Sequence, residues 1–427
     1  MKRRFQLKKW YSLIDKVYTT QNLFDAFYSV KKNKGVGGID GITIKQYEEN
    51  LPINIYQMQK ELKSGTYVPL PVKRVEIPKG NGKTRPLGIP TVRDRIAQQA
   101  IVNIIQPIFE PEFHPQSYGY RPKKSCQMAV ARAKQVAVGL ELPFVVDMDL
   151  SKCFDTLNHK FIMKTLNKRI SDGTLLRLIE SILKSGVMQN GKFNKTKIGS
   201  PQGGVISPLL MNIYLDEFDQ AMRIKGLEIV RYADDILIFA KTKKKAEQYQ
   251  RFATKYLNSI YLIINEEKTH ITHISKGITY LGFKIYKRFV SIDSKRIKVF
   301  KDKVRQLTPR NSGINVIAMA RRLNPILRGW SNYFKVANCK GLFKTLMEWI
   351  RRRLRMKRMK ELKSWKAFHK QLRRVGHRGD FPKMSMTHWK NSCCFHIHKA
   401  IPLTWFDEIK LYNLQNVETG VLFNYYE

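Results

Sequence analysis

Two segments in the middle of the chain have the residue pattern of β-structure and end in carboxylates. Residues 144–149 are apolar apart from two acids, and strand alternation places Asp147 and Asp149 on one face. In residues 227–239, two apolar arms flank the pair Asp234-Asp235, which predicts a β-hairpin with both carboxylates at its tip. Acids at the end of a buried strand are costly without a cation or a donor, so both segments are candidates for a functional site.

The neighbouring segments predict a mixed fold. Residues 72–90 favour a hairpin with a basic tip, because two extended arms flank the turn residues 78–83. Apolar residues near helical spacing predict helices over 93–110 and 245–260. With a helix between the strand and the acidic hairpin, the order becomes β-α-β-β-α-β, which is the split arrangement of ferredoxin-like domains.

The two ends of the chain differ from its middle. Residues 1–65 are polar and helical in pattern, with a glycine-rich loop at 33–41, and the chain becomes basic and helical after Ser291. One helix near 350 has an apolar residue at every fourth position, which predicts a buried face of Leu342, Leu346, Ile350 and Leu354. Its opposite face is basic and carries Arg351, Arg352, Arg353, Arg355, Lys357, Arg358 and Lys360.

The net charge of the chain indicates what kind of partner it binds. The 427 residues include 78 Lys and Arg against 34 Asp and Glu, so the formal net charge is +44. A surplus of this size repels itself unless a polyanion neutralises it, which favours a nucleic-acid partner. No stretch has the length and apolarity of a transmembrane helix or of a signal peptide, so we expect a cytoplasmic protein without a membrane partner.

The cysteines predict neither disulfides nor a zinc ribbon. There are five, and none forms a Cys-x-x-Cys pair. Cys393 and Cys394 crowd against His396 and His398, but the spacing fits no common zinc site. Buried thiols beside surface histidines are the default interpretation of this cluster.

Three carboxylates that converge on one sheet edge could hold two Mg²⁺ ions, since this cation prefers hard oxygen ligands. Two such ions activate a hydroxyl and stabilise the leaving oxygen in an in-line displacement, which is the chemistry of nucleotidyl transfer. The alternative for Asp234-Asp235 is solvated turn chemistry, which is common for such a dipeptide alone. The flanking apolar arms and the second acidic strand favour the metal site.

The chain also resembles a known family. Tyr232-Ala233-Asp234-Asp235 is similar to the Y-x-D-D motif of reverse transcriptases. Further blocks resemble, in order, those of bacterial group II intron reverse transcriptases and their maturase segment: 74–79, 85–92, 117–122, 200–210, 265–269, 280–283, 323–330 and 332–334. Cys153, Ser200 and Tyr120 depart from the residues that are frequent in the family, and none of them is a metal ligand.

The resemblance implies a role for each carboxylate. Strand alternation leaves Asp147 and Asp149 equally placed, and the family spacing to Phe154 selects Asp149. Asp149, Asp234 and Asp235 would then be the catalytic metal ligands, with Leu150 also at the metal site and Asp235 the less direct ligand. The expected cofactor is a pair of Mg²⁺ ions, with Mn²⁺ as a substitute.

The resemblance implies contacts to nucleotide and nucleic acid as well. Lys79 and Arg85 would grip the triphosphate, Phe154 would reject a 2′-hydroxyl, Gln202 would contact the incoming nucleotide, and Lys268 is a candidate general acid. The expected nucleic-acid contacts are Lys73, Arg74, Tyr232, Arg351, Arg352, Arg355 and Arg358. The alternatives are solvated charges for Lys79 and Arg85 and a core aromatic for Phe154.

The implied fold is α+β, a right-hand polymerase with fingers, a ferredoxin-like palm and an α-helical thumb or X domain. We expect an N-terminal extension (1–65), fingers (66–145), palm (146–290), thumb (291–360) and a basic, DNA-binding C-terminal segment (361–427). The chain carries no match to the endonuclease domain of some relatives, so second-strand cleavage is not expected.

The implied function is that of an RNA-directed DNA polymerase and maturase. The expected partners are intron RNA, an RNA template with a DNA primer, target DNA and dNTPs, and the sequence does not fix the oligomeric state. Two alternatives stay open. One is a nonenzymatic splicing factor, and the other is a reverse transcriptase used by the host in phage defence.

Overall fold

The structure is a computed structural model of the chain. It describes residues 9–80, 83–189, 191–196, 198–201, 203–381, 383, 385–392 and 394–422, without the side chains of 79, 80 and 83. The chain divides into two compact units, one up to Thr272 and one from His273. None of the helices in the described ranges has the length and apolarity needed to cross a membrane.

Among its described residues, the first unit contains eleven α-helices, one π-helical segment (Gln135–Gly139) and eight strands. The helices are α1 (Ile14–Val17), α2 (Thr20–Lys32), α3 (Ile44–Glu49), α4 (Leu51–Ser64), α5 (Val92–Phe109), α6 (Cys126–Lys134), α7 (Cys153–Thr156), α8 (His159–Leu166), α9 (Gly173–Lys184), α10 (Ser207–Ile224) and α11 (Lys243–Ser259). The strands are β1 (Val72–Gly80), β2 (Lys83–Ile89), β3 (Phe144–Asp149), β4 (Val187–Gln189), β5 (Lys192–Asn194), β6 (Ile229–Tyr232), β7 (Asp235–Ala240) and β8 (His270–His273).

The central sheet of this unit has the order β6-β7-β3-β8. With α7 to α10 between β3 and β6, and α11 before β8, the element order is the predicted β-α-β-β-α-β of a ferredoxin-like domain. Val145, Val146 and Met148 are buried in β3, and Ile236 and Ile238 are buried in β7, so the apolar arms form the middle of the core. The predicted strand and acidic hairpin are therefore confirmed.

A second sheet contains the basic hairpin. β1 pairs antiparallel with β2, and the sheet order is β2-β1-β4-β5. The hairpin leads into α5, where Thr91 caps the helix by accepting a hydrogen bond from the Asp94 N–H. The glycine-rich loop predicted at 33–41 lies against this helix start, since a Cβ atom on Gly38 would be 2.6 Å from Thr91 N. The loop thus needs glycine where two backbones meet.

The second unit consists of a small sheet and a group of helices. It contains β9 (Ile278–Tyr280), β10 (Phe283–Ile285), β11 (Val290–Ile292), α12 (Ser294–Leu307), α13 (Val316–Phe334), α14 (Lys340–Leu362), α15 (Trp365–Arg374), α16 (Met386–Asn391), α17 (Phe395–Ala400) and α18 (Leu403–Glu408). Trp330 of α13 stacks on Phe300 of α12 at 4.2 Å between ring centroids and lies 5.6 Å from Phe343 of α14. These rings join the three long helices, as expected of a helical thumb.

Three of the four residues in the predicted stripe on α14 are buried. Leu346, Ile350 and Leu354 are fully enclosed, together with Phe343 and Met347, whereas Leu342 is half-buried near the start of the helix. The strands β9 to β11 lie in the second compact unit together with these helices. An α+β fold with a helical C-terminal part is thus confirmed, while the predicted domain boundaries stay predictions.

Candidate catalytic site

The hairpin tip and the end of β3 bring the predicted carboxylates to one edge of the central sheet. β3 and β7 are antiparallel, and Asp149 lies directly across from Asp235. Asp234 occupies the two-residue turn between β6 and β7, next to Ala233, whose φ is +58°. Directly paired strand residues have neighbouring side chains, so the sheet register explains why these acids meet.

Like charges make this edge electrostatically strained. Burial and the carboxylates of Asp234, Asp147 and Asp149 raise the pKa of Asp235 to about 7, and Lys268 opposes this shift. The Lys268 ammonium donates to Asp149 Oδ2 at 2.8 Å, and this hydrogen bond raises the pKa of Lys268. The Asn265 N–H donates to the Asp149 carbonyl at 2.8 Å and so brings the segment with Lys268 to the end of β3.

The sheet register also separates Asp149 from Asp147. Asp147 lies on the same face of β3 as Asp149 but two residues farther from the hairpin tip, opposite Leu237. Burial raises the pKa of Asp147 to about 6. His270 opposes this shift, and its Nε2 lies 3.9 Å from Asp147 Oδ2. Asp149 is therefore the β3 carboxylate that lies beside the paired acids of the hairpin.

The donor set at this edge fits a divalent cation. Three carboxylates supply hard oxygen ligands, and a bound cation would oppose the burial and mutual repulsion that raise the pKa of Asp235. The side chain of Leu150 is a buried hydrocarbon and cannot bind a metal, so only the backbone carbonyl of this residue could do so. Within the described residues, no group of three or more His, Cys, Asp or Glu side chains is already gathered as a metal site. Cys393, from the cysteine and histidine cluster, lies outside the described residues.

A buried arginine under the hairpin is a feature that the sequence analysis missed. Arg231 of β6 is fully buried and binds Asp219 of α10 through Nε, at 2.9 Å, and Nη2, at 2.6 Å. Its Nη1 donates to the Ala233 carbonyl at 3.0 Å and to Asn212 Oδ1 at 3.1 Å. Burial acts to lower the pKa of Arg231, but the Asp219 charge and hydrogen bonds raise it above its ordinary value.

The same network holds a second segment against the turn. Asn212 Nδ2 donates to the Gly119 carbonyl at 2.9 Å, and the Tyr118 N–H donates to the Arg231 carbonyl at 2.8 Å. A Cβ atom on Gly119 would be 2.3 Å from Ala233 N, so only glycine permits this approach. An arginine in a strand of apolar residues was the signal in the sequence, because a buried charge requires a partner.

The residues predicted to contact nucleotide have different outcomes. Arg85 is exposed on β2, opposite Ile77, and the side chain of Lys79 lies outside the described residues, as does Gln202. Phe154 of α7 is half-buried and meets Tyr120 edge to face at 6.4 Å. Their roles stay predictions.

Tyr120 is a further residue of this site that the sequence analysis did not assign. Its φ is +56°, an unusual conformation for a residue with a side chain. Burial raises its pKa, Asp234 and Asp235 add to the shift, and Arg85 opposes it. Tyr120 therefore lies where the predicted triphosphate and metal residues converge.

The basic residues have unequal exposure. Lys73 and Arg74 are exposed on β1, and Tyr232 is half-buried. On α14, Arg352 is exposed, and Arg358 is half-buried and lies 3.4 Å from Glu361.

The expectation of an open basic face on α14 is wrong for three of its residues, one of which is Lys357 at 4% exposure. Arg351 and Arg355 are each only 6% exposed. The physical reason is that the C-terminal segment covers this side of the helix: Arg351 donates to Gln415 Oε1 and Arg355 to the Ile401 carbonyl. Whether these arginines contact nucleic acid stays a prediction.

Comparison with known proteins agrees with the geometry. Residues 77–285 match the family "Reverse transcriptase (RNA-dependent DNA polymerase)", and residues 297–376 match "Group II intron, maturase-specific domain". The chain is 36% identical to Protein YkfC of Escherichia coli (strain K12) over 59% of its own length and 76% of that protein. It is 32% identical to Group II intron-encoded protein LtrA of Lactococcus lactis subsp. cremoris over 61% of its own length.

The chain spans only 54% of the length of LtrA. Among solved structures, the "Partial Cas6-RT-Cas1–Cas2 complex" aligns with a TM-score of 0.38 and 23% identity, over 58% of this chain and 42% of that one. The two family matches are consecutive and lie mainly in the first and second units, respectively. The chain belongs to the group II intron-encoded reverse transcriptases, with an RNA-directed DNA polymerase domain followed by a maturase-specific domain.

Proposed function

We propose that this protein copies RNA into DNA by two-metal nucleotidyl transfer, with Asp149, Asp234 and Asp235 as the metal ligands. The observation that carries this proposal is the register that sets Asp149 against Asp235 at the hairpin tip. Bound Mg²⁺ ions, or Mn²⁺ as a substitute, would activate the primer hydroxyl and neutralise the leaving pyrophosphate. The proposal also includes Leu150, which follows Asp149 in the chain, as a residue at the metal site.

The remaining residues of the site would position the substrates. Arg85 is exposed on the fingers hairpin and can bind triphosphate oxygens through its planar fork. Phe154 lies against Tyr120 and would exclude a ribose 2′-hydroxyl by bulk. The exposed ammonium of Lys268 carries a proton close to Asp149, which suits a general acid for pyrophosphate.

The second part of the proposal is a maturase role for intron RNA. The maturase-specific match and the net charge of +44 support it, because a strongly basic surface binds nucleic-acid backbones. If about 6–10 phosphates are contacted, affinity should fall about 10³ to 10⁵-fold between roughly 50 and 200 mM salt. Target DNA and a template-primer duplex would be bound through the same electrostatics.

A primer-extension assay tests the polymerase proposal. The full chain is given an RNA template, a DNA primer, dNTPs and Mg²⁺, and Asp149→Asn is compared with Asp147→Asn. We expect Asp149→Asn to lower the rate roughly a thousandfold, since metal stabilisation of charge is worth several kcal/mol. Asp147→Asn is the matched control, because it removes a carboxylate from the same strand face at a position opposite Leu237.

Two results would contradict the assigned site. One is DNA synthesis by Asp149→Asn at the wild-type rate, and the other is an equal loss in both variants. Splicing of intron RNA separates the two roles, because a maturase that acts by binding retains splicing in Asp149→Asn. Loss of splicing together with polymerisation would mean that one site serves both.

A further inference from the structure

A cavity in the second unit is lined mainly by basic side chains. It has a volume of about 950 Å³ and lies along α14, beside α17, the start of α18 and Gln415. The basic residues at its wall are Lys344, Arg351, Arg352, Arg355 and His398. Among the described residues that line it, Glu348 is the only acid. The wall therefore carries a surplus of positive charge.

Two of these arginines are buried without a carboxylate partner. Arg351 Nη1 donates to Gln415 Oε1 at 2.8 Å, while its buried Nε has no hydrogen-bond partner within the described ranges. Arg355 Nε donates to the Ile401 carbonyl at 3.0 Å, and its guanidinium lies 5.0 Å from the Phe406 ring. In the part of the chain that the structure describes, no carboxylate lies within 4.0 Å of either guanidinium.

The two arginines repel each other. Burial and the neighbouring Arg351 lower the pKa of Arg355 to about 10, so it is still charged at neutral pH. Burial also lowers the pKa of Arg351, although Asp407 and Glu348 oppose the shift. A buried charge without a partner is unfavourable, and a bound anion would remove that cost.

A neutral donor completes the wall. Ser392 is fully buried and lines the cavity, and its hydroxyl has no hydrogen-bond partner within the described residues. Hydroxyls and guanidinium groups are the donors that bind the oxygens of a tetrahedral anion. The cavity is also about the size of known ligand pockets, which span roughly 300–1,000 Å³.

We propose that this cavity binds a phosphate group, through the guanidinium groups of Arg351 and Arg355 and the hydroxyl of Ser392. Phosphate fits better than a carboxylate, because its tetrahedral oxygens can accept hydrogen bonds from both guanidinium groups and the hydroxyl at once. The group can be presented by a nucleic-acid strand or by a free nucleotide, and the chemistry of recognition is the same. This site lies in the second unit and is independent of the polymerase carboxylates.

Thermal unfolding of the full chain tests the proposal. Unfolding is measured in inorganic phosphate and in chloride at equal ionic strength, for the wild type, Arg355→Met and Lys360→Gln. Lys360→Gln is the matched control, since it removes one positive charge from the exposed side of the same helix. Phosphate at about a hundred times its Kd should raise the wild-type and control Tm by about 2–4 °C. Arg355→Met should show no such rise, and its Tm in chloride should equal or exceed that of the wild type.

Two outcomes would overturn the proposal. One is a wild-type Tm that phosphate does not raise above chloride. The other is an Arg355→Met variant that unfolds earlier in both buffers yet keeps the phosphate-dependent rise, because this pattern means that Arg355 has only a structural role. If Arg355→Met does not fold, Ser392→Ala replaces it, and the rise should then become smaller without any change of charge.

Two further titrations identify the source of the phosphate. If a strand supplies it, Arg355→Met weakens binding of a single-stranded oligonucleotide and reduces its salt slope by about one. If a free nucleotide supplies it, a nucleoside monophosphate raises the wild-type Tm while oligonucleotide affinity stays equal in the two proteins. Failure of both titrations contradicts the site, whatever the result of the polymerase assay.

Discussion

The two units each bury an arginine, and they surround it differently. Arg231 in the first unit is fully enclosed and donates three hydrogen bonds to the carboxylate of Asp219. Arg355 in the second unit is 6% exposed and has one carbonyl and one aromatic ring as its partners. A buried ion pair of good geometry is complete within the fold, whereas a buried charge without a counter-charge leaves a place for a ligand.

The distinction between balanced and unbalanced buried charge also applies to the carboxylates at the hairpin tip. The carboxylates at the hairpin tip lie close together, and the Lys268 ammonium donates to Asp149 at 2.8 Å. Burial, together with the neighbouring carboxylates, raises the pKa of Asp235 to about 7. The first unit thus collects negative charge for which a cation is the complement, and the second collects positive charge for which an anion is the complement.

Single substitutions of the two arginines should have very unequal effects on stability. Arg231→Met leaves Asp219 buried and unpaired, so we expect the free energy of unfolding to fall by about 3–5 kcal/mol. Arg355→Met removes an unpaired charge and should change it by less than about 1 kcal/mol in phosphate-free buffer. Urea denaturation of both proteins measures the difference. Equal losses would mean that the two arginines have equivalent environments.

A double substitution separates two roles of Arg231: its contribution to stability through the ion pair with Asp219, and its positioning of the turn at the candidate catalytic site. Arg231→Met with Asp219→Leu replaces the ion pair by apolar side chains and should recover most of the lost stability. It does not restore the hydrogen bond to the Ala233 carbonyl, so kcat should remain about 10 to 100-fold low with a smaller change in KM. Full recovery of kcat would show that Arg231 does not position the turn.

The smallest effect concerns Asp216, an acid near the same ion pair. Burial and the charge of Asp219 raise its pKa to about 6, from 3.8. Because the folded pKa is raised, the stability that this group contributes is fully present below about pH 4 and is lost as pH rises through about 6.

Asp216→Asn should therefore stabilise the protein by about 1–3 kcal/mol at pH 8 and leave it unchanged near pH 4. The His114 N–H, which donates to Asp216 Oδ1 at 3.0 Å, can still bond to the amide oxygen. Urea denaturation at the two pH values gives the result. A gain of the same size at both would mean that the ionisation of Asp216 is not its cause.

Much of the first unit could be predicted from the sequence, because the residue patterns that specify its strands and helices lie within short segments. The strand at 144–149 and the hairpin around Asp234-Asp235 have short apolar arms of β-branched residues, and the structure has both. The helices predicted at 93–110 and 245–260 are α5 and α11 within one or two residues of the expected ends. Alternation could not choose between Asp147 and Asp149, because it fixes a face and not a partner strand.

Helix α14 shows where prediction from residue periodicity failed. The period of α14 correctly predicted its apolar stripe but not what covers the opposite side. Arg353 donates to the carbonyl of Thr308, and Lys357 donates to that of Ser312, so residues far along the chain use donors that were expected to face solvent. Long basic side chains are usually exposed, and only tertiary contacts reveal the exceptions.

The sequence by itself determined the secondary structure around the candidate site, the surplus of positive charge and the set of candidate acids. Tertiary structure decided which of those acids meet, since strand register is a contact between distant segments. It also decided which charges are paired: Asp219 reaches Arg231, and no acid reaches Arg355 in the described part of the chain. Periodicity specifies a face, but electrostatic balance depends on every group that the fold brings near it.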